Sequence, residues 1–294
     1  MKLTKTTFSF DPIADPICHA QSGDILTFVT RDCYDNQVIA ESDTLAIDWD
    51  RTNPATGPVY VEGAHPGDVI VVDILDITLS DTAVAAALPD CGPENIQTDG
   101  EKAFFTICDG YLCWRGKDIR FPIDPMIGVI GLADTKPIST GYAGRHGGNM
   151  DSRIIGKGTS VYLPVRVAGG YLCMGDLHAV MADGEMAGNG AEVAGEIVCR
   201  VRLKKNVALT YPVTETKDYY FVNTCGDTCD EAIRRGYTEM HRLIRKAYGL
   251  NDTEAAIYMS LQGRLESNQS CLTDGAGGNT FRTGTPKVPG KPLF

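Results

Sequence analysis

Two short segments carry polar residues of the right types and spacing to do chemistry. One is Gly144-Arg-His-Gly-Gly-Asn-Met-Asp151, the other Gly175-Asp-Leu-His-Ala-Val-Met-Ala-Asp-Gly-Glu185. In the first, the paired glycines free the backbone for a tight loop that crowds Arg145, His146, Asn149 and Asp151 together, an arrangement typical of loops that bind something. In the second, a strand would place Asp176 and His178 on one face, and Asp183 and Glu185 repeat the same i, i+2 spacing across a turn. An imidazole and several carboxylates converging in one pocket suit a divalent metal such as zinc, whose usual nitrogen and oxygen ligands they are. They equally suit general acid/base work by a carboxylic acid whose pKa is raised by burial or by a like charge. The bland readings are a solvated turn for the first segment and a strand with its polar side in water for the second.

The other histidines have less to offer. His65 sits in the Pro-Gly turn Gly63-Ala-His-Pro-Gly-Asp68, His241 lies beside Met240 in a helical pattern, and nothing local decides His19. The close cysteine pairs Cys108/Cys113 and Cys225/Cys229 lack Cys-x-x-Cys spacing and a nearby histidine, so most of the 10 cysteines read as small buried apolar residues.

The elements that must position these residues are mainly strands. Asp24 to Thr30, Val69 to Ile77 and Thr159 to Val167 are rich in β-branched residues and end at turn formers. In Ile197 to Leu203 the residues Ile197, Cys199, Val201 and Leu203 alternate with Val198, Arg200 and Arg202, the period of a half-buried strand. After residue 225 the period lengthens: Ile233, Tyr237, Met240, Ile244 and Ala247 predict an amphipathic helix capped by Thr228 with Glu231 and ending near Gly249. Asn251 with Glu254 starts a second, shorter helix through Tyr258 and Met259. The expected fold is mainly β, a sandwich or barrel-like region, with a small C-terminal α-helical hairpin packed on it. The expected divisions are residues 1–210 for the β-rich catalytic region, 211–272 for the hairpin, and 273–294 for a Gly/Pro-rich arm, extended or poorly ordered.

Composition narrows the function. With 27 Lys and Arg against 38 Asp and Glu, the formal charge of −11 disfavours nucleic acid and anionic membranes as partners. The opening residues lack the apolar run of a signal peptide and no stretch approaches the roughly 20 apolar residues of a membrane span, so the expectation is a cytoplasmic protein.

Several phrases, in order, resemble the acetamidase/formamidase family: Thr56 to Ala64 with Pro66-Gly-Asp68, Asp124 to Gly131, Arg145 to Asp151, and Gly175-Asp-Leu-His178 with Asp183-Gly-Glu185. The likeness spans roughly residues 19 to 205 and continues more loosely to about 270. It implies a mostly β fold, hydrolysis of a short aliphatic amide such as formamide or acetamide, and a divalent metal, zinc by expectation. On this reading His146, Asp176 and His178, with Asp151, hold the metal. Glu185 is the general base, Asp183 orients a ligand, Asn149 donates to the oxyanion, and Glu62 is a further catalytic candidate. The partner is a small amide, and the chain is expected to form a homo-oligomer, a dimer or larger. The loop Asp32-Cys-Tyr-Asp-Asn-Gln37 departs from the family pattern, as does the Gly/Pro-rich tail. Rival readings are an amidase with Cys173 as nucleophile and His178 as base, a non-catalytic β-sandwich that binds a metal or small ligand, and, more weakly, a cupin-like metal enzyme.

Overall fold

In the computed structural model the described residues are 1–43, 46–87, 91–92, 101–271 and 278–294. Two large sheets dominate. In the nine-stranded sheet, strands Ile25–Thr30, Gly195–Lys204, Val69–Leu79 and Ser160–Pro164 lie side by side. They continue through Val213–Glu215, Tyr219–Gly226 and Asn279–Pro286 to the edge strand Arg264–Ser267. The twelve-stranded sheet is centred on Leu172–His178, flanked by Met126–Gly131 and Ala55–Val61.

The main core lies between the sheets. Phe28, Ile70, Val72, Leu163, Ile197 and Val201 of the first pack with Val59, Ile127, Ile130, Leu172, Met174 and Leu177 of the second. The alternation read from Ile197 to Leu203 holds, with Ile197, Cys199 and Val201 fully buried and Leu203 packed against the core. The strand expected over residues 159–167 stops at Pro164, which has no amide proton to extend the ladder.

Two helices cover the outer face of the nine-stranded sheet. Helix α1, Cys229–Tyr248, begins where Thr228 accepts a hydrogen bond from the Glu231 amide and ends at left-handed Gly249. Helix α2, Asp252–Gln262, has the full capping box of Asn251 and Glu254. Met240, Leu243, Ile244 and Ala255 join Val69, Val71, Val213 and Val222 in a second core. The expected α1 stripe is rotated: Tyr237 is exposed, and the buried face runs through Ala232, Gly236, Glu239, Met240 and Leu243. The cause is Gly236, where a methyl would stand 2.4 Å from Thr283 Oγ1, so the helix lies on its smallest residues.

The tail differs from an arm. Residues 273–277 lie outside the described residues, but Asn279–Pro286 is an interior strand between Tyr219–Gly226 and Arg264–Ser267, and Leu293 is buried.

Candidate active site

The centre begins with a disturbance in the middle strand of the second sheet. Asp176 has φ +57°, a left-handed conformation that L residues rarely adopt and that aspartate tolerates better than most. It breaks the strict alternation, so Met174 and Leu177 both face the main core, while the Asp176 and His178 side chains meet, Oδ1 to Nε2 3.7 Å. Asp151 (φ 44°) and Glu185 (φ 45°) are held in the same left-handed region. Strain of this kind persists only where surrounding contacts enforce it, and it concentrates at functional sites.

Room for the acids comes from Gly128, between the rungs Ile127↔Leu177 and Val129↔Gly175. A methyl there would stand 2.5 Å from both Asp151 Oδ1 and Asp176 Oδ2. Across the next rung, His178↔Glu192, Glu192 Oε1 lies 2.9 Å from His178 Nε2 and accepts from the Gly190 amide. His178 Nδ1 lies 2.9 Å from Met126 Sδ. Gln269 closes the far side, donating to Asp151 Oδ2 at 3.1 Å and to Glu185 Oε2 at 2.6 Å. The Gln269 and Glu185 segments are zipped by Gly184 N to Asn268 O and Ser270 N to Gly184 O, and Thr280 ties both to the Asp151 loop through its bond to Met150 O.

Cys33, from the loop whose sequence departs from the family pattern, places its thiol with Asp176 and Glu192, their candidate ligand atoms all within 4.8 Å of one another. Asp151, His178 and Glu185 form a second such set. All of these residues are buried.

So many acids in a desolvated space shift one another's ionisation. Burial, then the Glu185 and Asp176 charges, push the Asp151 carboxyl well up; burial and Glu192 do the same to Asp176. Glu185 rises to about 7, chiefly through burial, against the pull of His178. For His178 burial works downward, but Glu192 and Asp176 outweigh it and hold the imidazolium well above its usual range. Asp151 Oδ1, Asp176 Oδ1 and Glu192 Oε2 are buried without a hydrogen-bond partner. Carboxylate oxygens converging without donors are the arrangement a divalent cation satisfies, so the residue set fits a metal.

The sequence-predicted residues thus divide. Asp151, Asp176, His178 and Glu185 come together. Asn149 is on the neighbouring strand Gly147–Asn149, its Oδ1 buried and unpaired. His146 is buried edge-on against Phe10, 5.0 Å between ring centroids; burial lowers its pKa to about 4, and the charges it feels are Asp134 and Arg166. Asp183 is half-exposed and held by Arg282 at 2.6 Å and Arg153 at 3.7 Å. Glu62 is half-exposed and paired with His19.

Sequence reasoning missed Glu192, Gln269, Cys33 and the space at Gly128. Glu192, an acid between Ala191 and Val193, carried a faint signal; a glutamine brought in from 118 residues away carried none. Cys173, the rival nucleophile, packs with Phe10, Ala55 and Val129, and burial pushes its thiol well up. Burial and the neighbouring carboxylates do the same to Cys33. A nucleophilic thiol needs the opposite shift.

Fold and centre together define a mainly β enzyme in which buried acids surround one imidazole. The chain belongs to the acetamidase/formamidase family, whose model matches residues 6–111 and 134–224. It is 28% identical to a formamidase of Methylophilus methylotrophus, the alignment covering 70% of this chain and 67% of that protein. A putative formamidase of Schizosaccharomyces pombe is also 28% identical, over 54% of each chain. An acetamidase from Bacillus halodurans superposes with a TM-score of 0.92 at 36% identity, covering 97% of both chains. An acetamidase from Yersinia enterocolitica gives 0.90 at 25%, covering 97% of this chain and 91% of the other. The γ-lactamase of Delftia acidovorans, at 19% identity and a TM-score of 0.66, shares the fold.

Proposed function

We propose that this enzyme hydrolyses short linear amides of the formamide or acetamide type to carboxylate and ammonia, at the centre formed by Asp151, Asp176, His178, Glu185 and Glu192. The observation that carries the reading is the set of unpartnered carboxylate oxygens around the buried His178 imidazole. Asp151, Asp176, His178 and Glu192 would hold a divalent cation, and their oxygen and nitrogen donors suit zinc or a related ion. Such an ion, when bound, supplies polarisation of the amide carbonyl and an acidified water.

The protein's own contribution is proton handling and order. Glu185, with a pKa of about 7, is poised to take the proton of the attacking water and return it to the departing nitrogen. Gln269 fixes the Glu185 carboxylate relative to Asp151. Asn149 is assigned the amide that donates to the developing oxyanion. Asp183 and Glu62 take no part in this scheme, since their charge partners lie elsewhere, nor does His146, whose ring packs on Phe10. A cytoplasmic setting and assembly with further copies of the same chain belong to the same proposal. Among the described residues no helix is long and apolar enough to cross a membrane.

The test is Glu185→Gln, which keeps size and the Gln269 contact but cannot shuttle a proton. Ammonia release from formamide and acetamide should fall about 10²- to 10⁴-fold with KM little changed and metal retained. Metal loss in that variant would make Glu185 a ligand, and normal turnover would remove it from the mechanism.

A further inference from the structure

One of the largest fully buried side chains is a cation, Arg282, on the interior strand Asn279–Pro286. Burying a guanidinium costs desolvation that an aliphatic side chain of similar size would not incur, so stability alone does not account for it. We infer that Arg282 is a positioning residue: it clamps the Asp183–Glu185 turn to the Ser267–Gln269 segment and so sets the contact between Glu185 and Gln269. The inference rests on the assignment of Glu185 as the base and adds what holds that base in place.

The guanidinium serves both segments at once. Nη2 donates to Asp183 Oδ1 at 2.6 Å. Nη1 donates to Ser267 O at 2.9 Å and to Asn268 Oδ1 at 2.7 Å. Nε donates to Glu266 Oε2 at 2.8 Å, so every nitrogen of the group has an acceptor. Asp183 stands two residues before Glu185, and Asn268 is the neighbour of Gln269. Because the donor fork is planar and rigid, these bonds fix the orientation of the two segments as well as their separation. The Phe221 ring backs the group, its centroid 5.9 Å from the guanidinium carbon.

Among the described residues the backbones of the two segments meet in one isolated bridge, Gly184 with Gln269, made of the bonds Gly184 N to Asn268 O and Ser270 N to Gly184 O. A single rung sets a distance but leaves the turn able to pivot about it. Charge-assisted bonds, roughly twice as strong as neutral ones, remove that freedom. Glu185 is also held at φ 45°, a conformation that persists only where contacts enforce it, and the clamp supplies one such contact. Asp183 thus bears on the centre through Arg282. Its other cation, Arg153, is half-exposed, lies 3.7 Å away and reaches Asp124 at 3.3 Å, so it contributes little.

Arg282 also supports the strand that carries it, so the experiment is made on its half-exposed partner, with the full chain and ammonia release from formamide and acetamide as the assay. Asp183→Ala unties the turn while Arg282 keeps Glu266. It should lower kcat about tenfold with KM little changed and an unchanged circular dichroism spectrum, since a catalytic group misplaced by about 1 Å loses roughly 10²-fold and the remaining bridge limits the shift to less. Arg153→Ala should stay within about twofold of wild type, as loss of an exposed ion pair does. In a Gln269→Ala background, itself slow, Asp183→Ala should cost no more than about twofold further, because the contact it sets is already gone. An equal fold-loss with and without Gln269 is what a merely structural role gives and would overturn the inference. Full kcat in Asp183→Ala, or Arg153→Ala as slow as Asp183→Ala, would overturn it too, and each of these outcomes leaves the amide reading intact. A wild type that releases no ammonia from either amide overturns that reading and this inference with it.

Discussion

Replacing Gly128 by alanine should silence the enzyme through one methyl group. The new carbon would stand 2.5 Å from Asp151 Oδ1 and from Asp176 Oδ2, where ordinary contact begins at 3.4 Å. Each carboxylate must therefore recede by the difference, 3.4 − 2.5 = 0.9 Å, or the strand must bow. Gly128 is not among the residues with positive φ, so alanine meets no backbone penalty and the effect is purely one of space. Overpacking of this sort costs about 1–3 kcal/mol, a melting-point loss of roughly 2–12 °C for a chain of this size. A catalytic group displaced by about 1 Å loses on the order of 10²-fold in rate. Ammonia release should thus fall far more steeply than stability, and Gly141→Ala, whose methyl would find only Ser139 Oγ at 3.8 Å, serves as the neutral control. Wild-type turnover in Gly128→Ala would mean that the Asp151 and Asp176 carboxylates are not where the chemistry happens.

His146 offers a pH test away from the centre. Its pKa drops from 6.5 to about 4, so the unfolded chain binds the extra proton between those values and stability is lost as pH falls from 6.5 to 4. A shift of 6.5 − 4 = 2.5 units corresponds to about 3 kcal/mol. Urea midpoints for wild type should fall across that window relative to His146→Gln, and parallel profiles would refute it. Ile244, fully buried against the sheet, should cost roughly 2–5 kcal/mol on truncation to alanine; a loss near 0.5 kcal/mol, typical of surface sites, would contradict that packing. Elemental analysis should find about one divalent ion per chain, lowered by His178→Ala, and chelation rather than thiol alkylation should abolish turnover. Full metal content in His178→Ala would strike it from the ligands.

What the sequence made legible was local. Both helix starts were readable because a cap and its glutamate lie within a few residues, and the β-branched strands announced themselves. The rotation of α1 was not, because it depends on Gly236 meeting a strand far along the chain. The strand Asn279–Pro286 escaped notice because it buries Asn279, Thr280, Arg282, Thr283 and Thr285 rather than aliphatic residues. Hydrophobic periodicity cannot find a strand whose interior is polar. In the centre, Asp176 and His178 were readable as i, i+2 neighbours. Gln269 was invisible, since only the folded chain brings it to Asp151.

The late position of Gln269 has a consequence in time. Synthesis delivers Asp151, Asp176, His178, Glu185 and Glu192 well before the residues that restrain them. Until the segment carrying Gln269 and Thr280 arrives, Glu185 lacks its amide partner and the Asp151 loop lacks its tether. A nascent or clipped chain ending ahead of Gln269 would possess every acid of the centre and none of the lock that sets their spacing. Competence is thus conferred by residues that follow every acid of the centre and have no acidity of their own.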